Sequence, residues 1–185
     1  MATSSGQTTL IDTLNNYMDR VVMVAGELKL SQVAILVHRL RKAKADGNSV
    51  FVIGNGGSQA NAQHLTLHLR DRGIRAIDLM ADGSWLTAQS NDRGYSESAA
   101  NLLALLQKAD DLIIVLSGSG NSPNIVECLK RATGYKVGLL GFDGGKAFEL
   151  CDLVVHCPSV EYGVVEDCHS IIIHMLYESL TEALR

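Results

Sequence analysis

Two short stretches of the chain combine hydroxyls, amides and glycines in a way that suits an anion. One is Gly54-Asn55-Gly56-Gly57-Ser58; the other is Ser117-Gly118-Ser119-Gly120-Asn121-Ser122, followed by Pro123. Serine hydroxyls both donate and accept, and glycines leave neighbouring N–H groups open to close approach. Such a nest can hold a phosphate dianion without a lysine. Neither stretch has the G-x-G-x-x-G spacing of a dinucleotide site or the lysine of a P-loop. Alone, each could be no more than a tight turn; their shared composition favours phosphate.

A second group is rich in imidazole. His64 and His68 are i and i+4, one helical face, a spacing that can chelate a divalent metal. Glu166, His169 and His174 fall near the start of the last helical pattern, with Glu166 and His169 at i and i+3. Glu166 and His174 are about 12 Å apart along a regular helix. One ion held by both requires a later helix start, or ligands from different subunits. Asn91 and Asp92 offer donors and acceptors for sugar hydroxyls, or an Asx turn before Gly94. Arg72 either meets the phosphate or stabilises the end of its helix.

The elements that must position these groups read as alternating strands and helices. Residues 49–53 and 111–116 are mostly apolar runs ending in the two glycine–serine stretches, the pattern of buried parallel strands. Helical spacing predicts helices over 10–28, 31–44 (Ser31 as N-cap), 59–72, 96–108, 124–133 and 164–184. Further strands are expected at 75–80, 136–142 and 153–156, and a polar connection with one short helix at 81–93. Residues 1–8 are small and polar and are expected to be disordered. The alternation predicts an α/β fold, a three-layer doubly wound five-stranded parallel sheet, with N-terminal helices over about 8–46. Ligands bind such sheets at the carboxyl ends of the strands, where both glycine–serine stretches must lie.

Composition sets the bounds. At 185 residues the chain reads as a single domain, 1–185. Hydrophobic residues make up 46% and charged residues 19%, enough for a sizeable core. The net charge is −4 and the basic residues are dispersed, so nucleic acid is not an expected partner. No apolar run is long enough for a membrane span, and no signal-peptide layout opens the chain. Cys128, Cys151, Cys157 and Cys168 form no C-x-x-C pair, which fits buried reduced thiols in a cytoplasmic protein.

Taken together, Gly54-Asn55-Gly56-Gly57-Ser58, Ser90-Asn91-Asp92-x-Gly94-Tyr95, Ser117-x-Ser119-Gly120-Asn121-Ser122 and Asp143-Gly144-Gly145-Lys146 resemble the SIS (sugar isomerase) domain family. Within it they resemble the sedoheptulose-7-phosphate (phosphoheptose) isomerases, from about residue 10 to the end. The resemblance implies a homotetramer with sites between subunits and a phosphorylated sugar as ligand. It implies that Asn55, Gly56, Ser58, Asn91 and Asp92 contact the sugar, that Ser117, Gly118, Ser119 and Ser122 hold the phosphate, and that Arg72 is an active-site arginine. It also implies zinc, or another divalent metal, on His64, His68, Glu166 and His174. Here the chain departs from the family, whose ligands are His, Glu, Gln and His. The family's glutamate is His68, and its glutamine is Glu166. That glutamate also serves the family as proton-transferring base. The catalytic candidates are therefore His68, His169 and Glu166, with His174 beside them. The family's aspartate before the last helix is absent from Tyr162-Gly163-Val164-Val165. The expected activity is ketose–aldose phosphate isomerisation, sedoheptulose 7-phosphate to a heptose 7-phosphate or a relative. The rival is a non-catalytic phosphosugar-binding or replication-initiation regulatory module.

Overall fold

The structure, a computed structural model, describes residues 9–181. The expected disorder of residues 1–8 and the last residues of the expected closing helix lie outside that range. Two helices, α1 (Leu10–Gly26) and α2 (Leu30–Asp46), precede β1 (Ser49–Ile53). There follow α3 (Gly56–Asp71), β2 (Arg75–Asp78), α4 (Gly83–Arg93), α5 (Tyr95–Leu106), β3 (Leu112–Ser117) and α6 (Pro123–Arg131). Then come β4 (Tyr135–Leu140), α7 (Gly145–Leu150), β5 (Leu153–His156) and α8 (Tyr162–Ser179). The five described strands form one all-parallel sheet in the order β2-β1-β3-β4-β5.

Alternate strand residues face opposite sides, and each side carries its own core. Val50, Val52, Ile114, Leu116 and Val155 pack against α1, α2, α3 and α8. Phe51, Ile53, Ile113, Val115 and Val154 pack against α5, α6 and α7. The N-terminal helices are thus part of one of the two helical layers. Tyr17 on α1 donates to Asp167 Oδ2 at 2.6 Å, and Arg20 pairs with Glu161 at 2.8 Å, which ties α1 to the start of α8. No single described helix is long and apolar enough to cross a membrane.

The strand order puts β1 beside β2 on one edge and β3 on the other. The chain winds outward in opposite directions from β1 and β3, so the loops after them flank the topological switch point, the crevice where doubly wound sheets take ligands. The two glycine–serine stretches occupy those two loops.

Several boundaries differ from the sequence reading. Helix α3 begins at Gly56, with Asn55 as its cap position, so Gly57 and Ser58 form its first turn. Helix α2 begins at Leu30 after Lys29, and Ser31 therefore stands inside the first turn rather than capping it. Residues 83–93 make an 11-residue helix with no buried residue, started by Asp82, whose carboxylate accepts from the Trp85 N–H at 2.9 Å. Its polar composition hides it from a search for apolar periodicity.

The turn after β1 is pinned by a side chain absent from the sequence reading. Gln59 Oε1 accepts from the Gly54 N–H at 3.0 Å, and Gln59 Nε2 donates to Asp78 Oδ1 at 2.8 Å on β2. Asp78 Oδ1 also accepts from the Met80 N–H at 2.9 Å. Replacing Gln59 by Leu takes the acceptor from the Gly54 N–H and one of two donors from Asp78 Oδ1. It should lower stability by about 1–3 kcal/mol, read as a fall in the urea midpoint at unchanged slope. An unchanged midpoint would show that the bridge carries nothing.

Candidate active site

The two loops are locked to each other before any ligand arrives. Asn55 Nδ2 donates to Asn124 Oδ1 at 2.9 Å, and Asn124 Nδ2 returns a bond to Asn55 Oδ1 at 2.9 Å. The Tyr95 hydroxyl donates to the same Asn55 oxygen at 2.7 Å. Asn55 Oδ1 thus already accepts twice, which leaves Asn55 one spare N–H for a ligand. Asn124 is buried at 2% exposure in the first turn of α6. Sequence reasoning assigns no role to Asn124, nor to Tyr95 beyond its place in the Ser90-Asn91-Asp92-x-Gly94-Tyr95 stretch. An asparagine directly after Ser122-Pro123 was the available signal.

The serine loop is shaped by its own bonds. Ser117 Oγ accepts from the Gly120 N–H at 3.0 Å, and Ser119 Oγ accepts from the Asn121 N–H at 3.3 Å. Gly120 sits at φ +64, and a Cβ there would lie 1.9 Å from the Gly144 carbonyl oxygen, so only glycine fits. The Asp143-Gly144-Gly145-Lys146 stretch is clamped on this loop. The Lys146 N–H donates to Asn121 Oδ1 at 3.1 Å and the Ala147 N–H to the Gly120 oxygen at 3.0 Å. Ser122 starts α6 and makes no capping bond of its own, with Pro123 pre-set for the first turn.

Between the loops lies a cleft of about 70 Å³, lined by Asn55 and Ser58 on one side and by Ser117, Gly118, Ser119 and Ser122 on the other. Tyr162 and Glu166, i and i+4 on α8, close it. The Glu166 carboxylate rests on Gly57, where a Cβ would stand 2.2 Å from Oε2, and Ser58 Oγ donates to Oε1 at 3.4 Å. Helix α8 is held there by Asn61 on α3. Its amide donates to the Glu166 carbonyl at 2.7 Å, and its oxygen accepts from Ser170 Oγ at 2.8 Å.

The imidazoles assemble elsewhere. His64, His68 and His174 each bring a ring nitrogen within 4.8 Å of the others. Burial lowers the pKa of His64 and His68, and the neighbouring imidazoles lower it further. Neutral rings are what metal ligation needs. The buried Nε2 of His68 has no hydrogen-bond partner among the described residues, as expected of a ligand atom. Tyr177 stacks on the His68 ring with centroids 4.3 Å apart and donates to Asp71 Oδ2 at 2.8 Å. The donor set fits a zinc-type ion.

The remaining candidates are not among the clustered imidazole nitrogens, and of them only Glu166 lines the cleft. Glu166 is not among the clustered ligand atoms, because the 12 Å of helix between it and His174 puts it at the cleft instead. Arg72 stacks on Tyr177 at 3.6 Å and donates to its carbonyl at 3.2 Å, about 21 Å of helix from Ser58. Asn91 and Asp92 are exposed on the last turn of α4, Asn91 donating to Asp92 Oδ1 at 2.9 Å, and neither lines the cleft. His169 is wholly buried, and neither ring nitrogen has a partner among the described residues. His169 does not line the cleft.

With the fold and these groups in view, comparison with known proteins is decisive. The SIS domain description matches residues 13–142. The phosphoheptose isomerase of Pelobacter propionicus is 38% identical over 166 residues, 85% of this chain and 86% of that protein. The chain belongs to the SIS-domain phosphoheptose isomerase family. That of Aliarcobacter butzleri is 38% identical over 148 residues, 75% of this chain and 78% of the relative. Among solved structures, the phosphoheptose isomerase of Francisella tularensis superposes with a TM-score of 0.88 at 27% identity, covering 93% of this chain and 98% of that one. That of Neisseria gonorrhoeae gives 0.89 at 25% identity with the same coverage.

The burial of His169 has a consequence for acid stability. Burial depresses its pKa to about 3, against about 6.5 in an unfolded chain. Below pH 6.5 the unfolded chain binds the extra proton, so this stability is whole above pH 6.5 and is lost as pH falls towards 3. Replacing His169 by Leu should remove about 3 kcal/mol of the stability lost between pH 7 and pH 4. Urea midpoints at the two pH values measure it, and equal losses in both proteins would refute it.

Proposed function

We infer that the protein is an aldose–ketose phosphate isomerase that converts sedoheptulose 7-phosphate to a heptose 7-phosphate. The observation that carries this reading is a carboxylate, Glu166, facing a serine–glycine nest across the switch-point cleft, in a chain of this family. The nest of Ser117, Gly118, Ser119 and Ser122 holds the phosphate through hydroxyls and open N–H groups. Ser58 and the spare N–H of Asn55 orient sugar hydroxyls. Glu166 takes the proton from C1 of the ketose. The C–H electron pair becomes the enediol double bond, a proton passes between O1 and O2, and the carboxyl returns its proton to C2.

His64, His68 and His174 would hold a divalent cation, zinc or another imidazole-loving ion. When bound, that ion supplies Lewis-acid polarisation of a carbonyl. On this reading His68 is a ligand and Glu166 the base.

We propose a homotetramer in which one subunit's Glu166 meets another's histidines. Two observations support it. One chain separates Glu166 from the histidines and Arg72 from the serine loop. The outer face of α1 also exposes Leu14, Met18 and Val22, apolar area suited to a partner. Four unpaired cysteines support a reducing, cytoplasmic setting.

Ser119→Ala should weaken phosphosugar binding by about 1–2 kcal/mol, about five- to thirtyfold in Kd by calorimetry. Unchanged affinity would remove the phosphate assignment. Glu166→Gln should lower kcat by about 100-fold or more while KM stays near its starting value. A loss confined to KM would make Glu166 a binding residue only.

A further inference from the structure

Gly118 lies in the middle of the serine loop, and its missing side chain is not empty space. A Cβ at 118 would stand 2.6 Å from Tyr162 Cδ1, 2.8 Å from Tyr162 Cε1 and 3.4 Å from Phe142 Cε2. The Tyr162 ring therefore rests on the loop backbone between Ser117 and Ser119. It is steadied from behind by Phe142, the ring centroids 4.9 Å apart. Phe142 is itself held. Its φ is +48, rare for a residue with a side chain. Its N–H donates to the Ser159 oxygen at 2.8 Å, and its carbonyl oxygen lies 2.8 Å from His156 Nε2. A braced aromatic wall thus stands directly beside the nest. The cleft it bounds, about 70 Å³, is far below the roughly 300–1,000 Å³ of sites that enclose a whole ligand. The nest is reached past the Tyr162 ring, so the atom that carries the phosphate must pass that wall.

We propose that Tyr162 is a specificity-determining residue: its ring, seated in the space a side chain at 118 would fill, makes the cleft select phosphate esters of an unbranched terminal carbon. A CH2–O–phosphate end passes the wall. A phosphate on a secondary carbon brings a second substituent into the ring. The inference rests on the serine loop being the phosphate site, and its test separates the two.

Glycerol 3-phosphate carries its phosphate on a terminal carbon and glycerol 2-phosphate on a secondary one, with the same atoms otherwise. Their inhibition constants against sedoheptulose 7-phosphate turnover give a discrimination ratio. In the wild-type protein the terminal ester should bind at least tenfold tighter. In Tyr162→Ala the ratio should fall below threefold, and Tyr162→Phe, which keeps the ring, should recover most of it. Gly118→Ala, whose new Cβ must displace the ring, should lower the ratio too. In the double variant the two effects should not add, because both remove one wall. A ratio near one in the wild type, or an unchanged ratio in Tyr162→Ala, overturns the proposal, as does full additivity with Gly118→Ala. Calorimetry with inorganic phosphate checks the reading beneath it. Weakening in Ser119→Ala together with an unchanged ratio in Tyr162→Ala sinks the wall alone. No weakening in Ser119→Ala sinks the phosphate site and the wall with it.

Discussion

The amide pair between Asn55 and Asn124 is the contact on which the rest of the site depends. Two parallel strands deliver two loops to the same sheet edge, but the sheet ladder ends before either loop begins. Ladder bonds fix the strands and leave the loops to find their own spacing. The reciprocal bonds at 2.9 Å, with Tyr95 as third member, set that spacing. Asn124 is buried, so loss of its partner would leave an unsatisfied amide at a cost of about 1–3 kcal/mol. The clamp is therefore preorganised, and a ligand need not order the loops on arrival.

Helix α8 is the second constraint. Its first two turns bring Tyr162 and Glu166 to the cleft, and its fourth brings His174 to the imidazole cluster. A straight helix cannot bend to unite these ends, so it divides the chemistry into a carboxylate end and an imidazole end. Asn61 and Ser170 fix its height against α3, while Tyr17 and Arg20 fix its start against α1. Helix α1 bears exposed apolar residues on its outer face, so whatever covers that face also bears on the element that carries Glu166.

Electrostatically, the two ends are complementary. Burial and the neighbouring imidazoles lower the pKa of His64 and His68, which suits a cation. The nest presents N–H and hydroxyl groups, which suits an anion. Glu166 stands beside the nest, close to Ser58 rather than among the phosphate-facing serines' own bonds. A carboxylate there fits a role toward sugar carbons better than a role toward the phosphate.

Sequence alone was enough for the parallel α/β architecture, because β-branched runs, glycine turns and helical spacing are local and each is legible by itself. It placed both loops at one edge, since a parallel sheet leaves no other arrangement. It also placed His64 with His68, because i,i+4 spacing is a property of one helix. It did not reveal Asn124, Tyr95 or Gln59, whose roles come from partners 69, 40 and 19 residues away in the chain. The family resemblance put His174 with His64 and His68 but put Glu166 there too, and the structure sends Glu166 to the cleft instead. That division follows from the rise of α8 and its height against α3, and only the packing of two helices sets it. The same holds for Gly118 and Tyr162: a glycine in a serine loop reads as loop freedom, and only the tertiary structure shows that an aromatic ring fills its place.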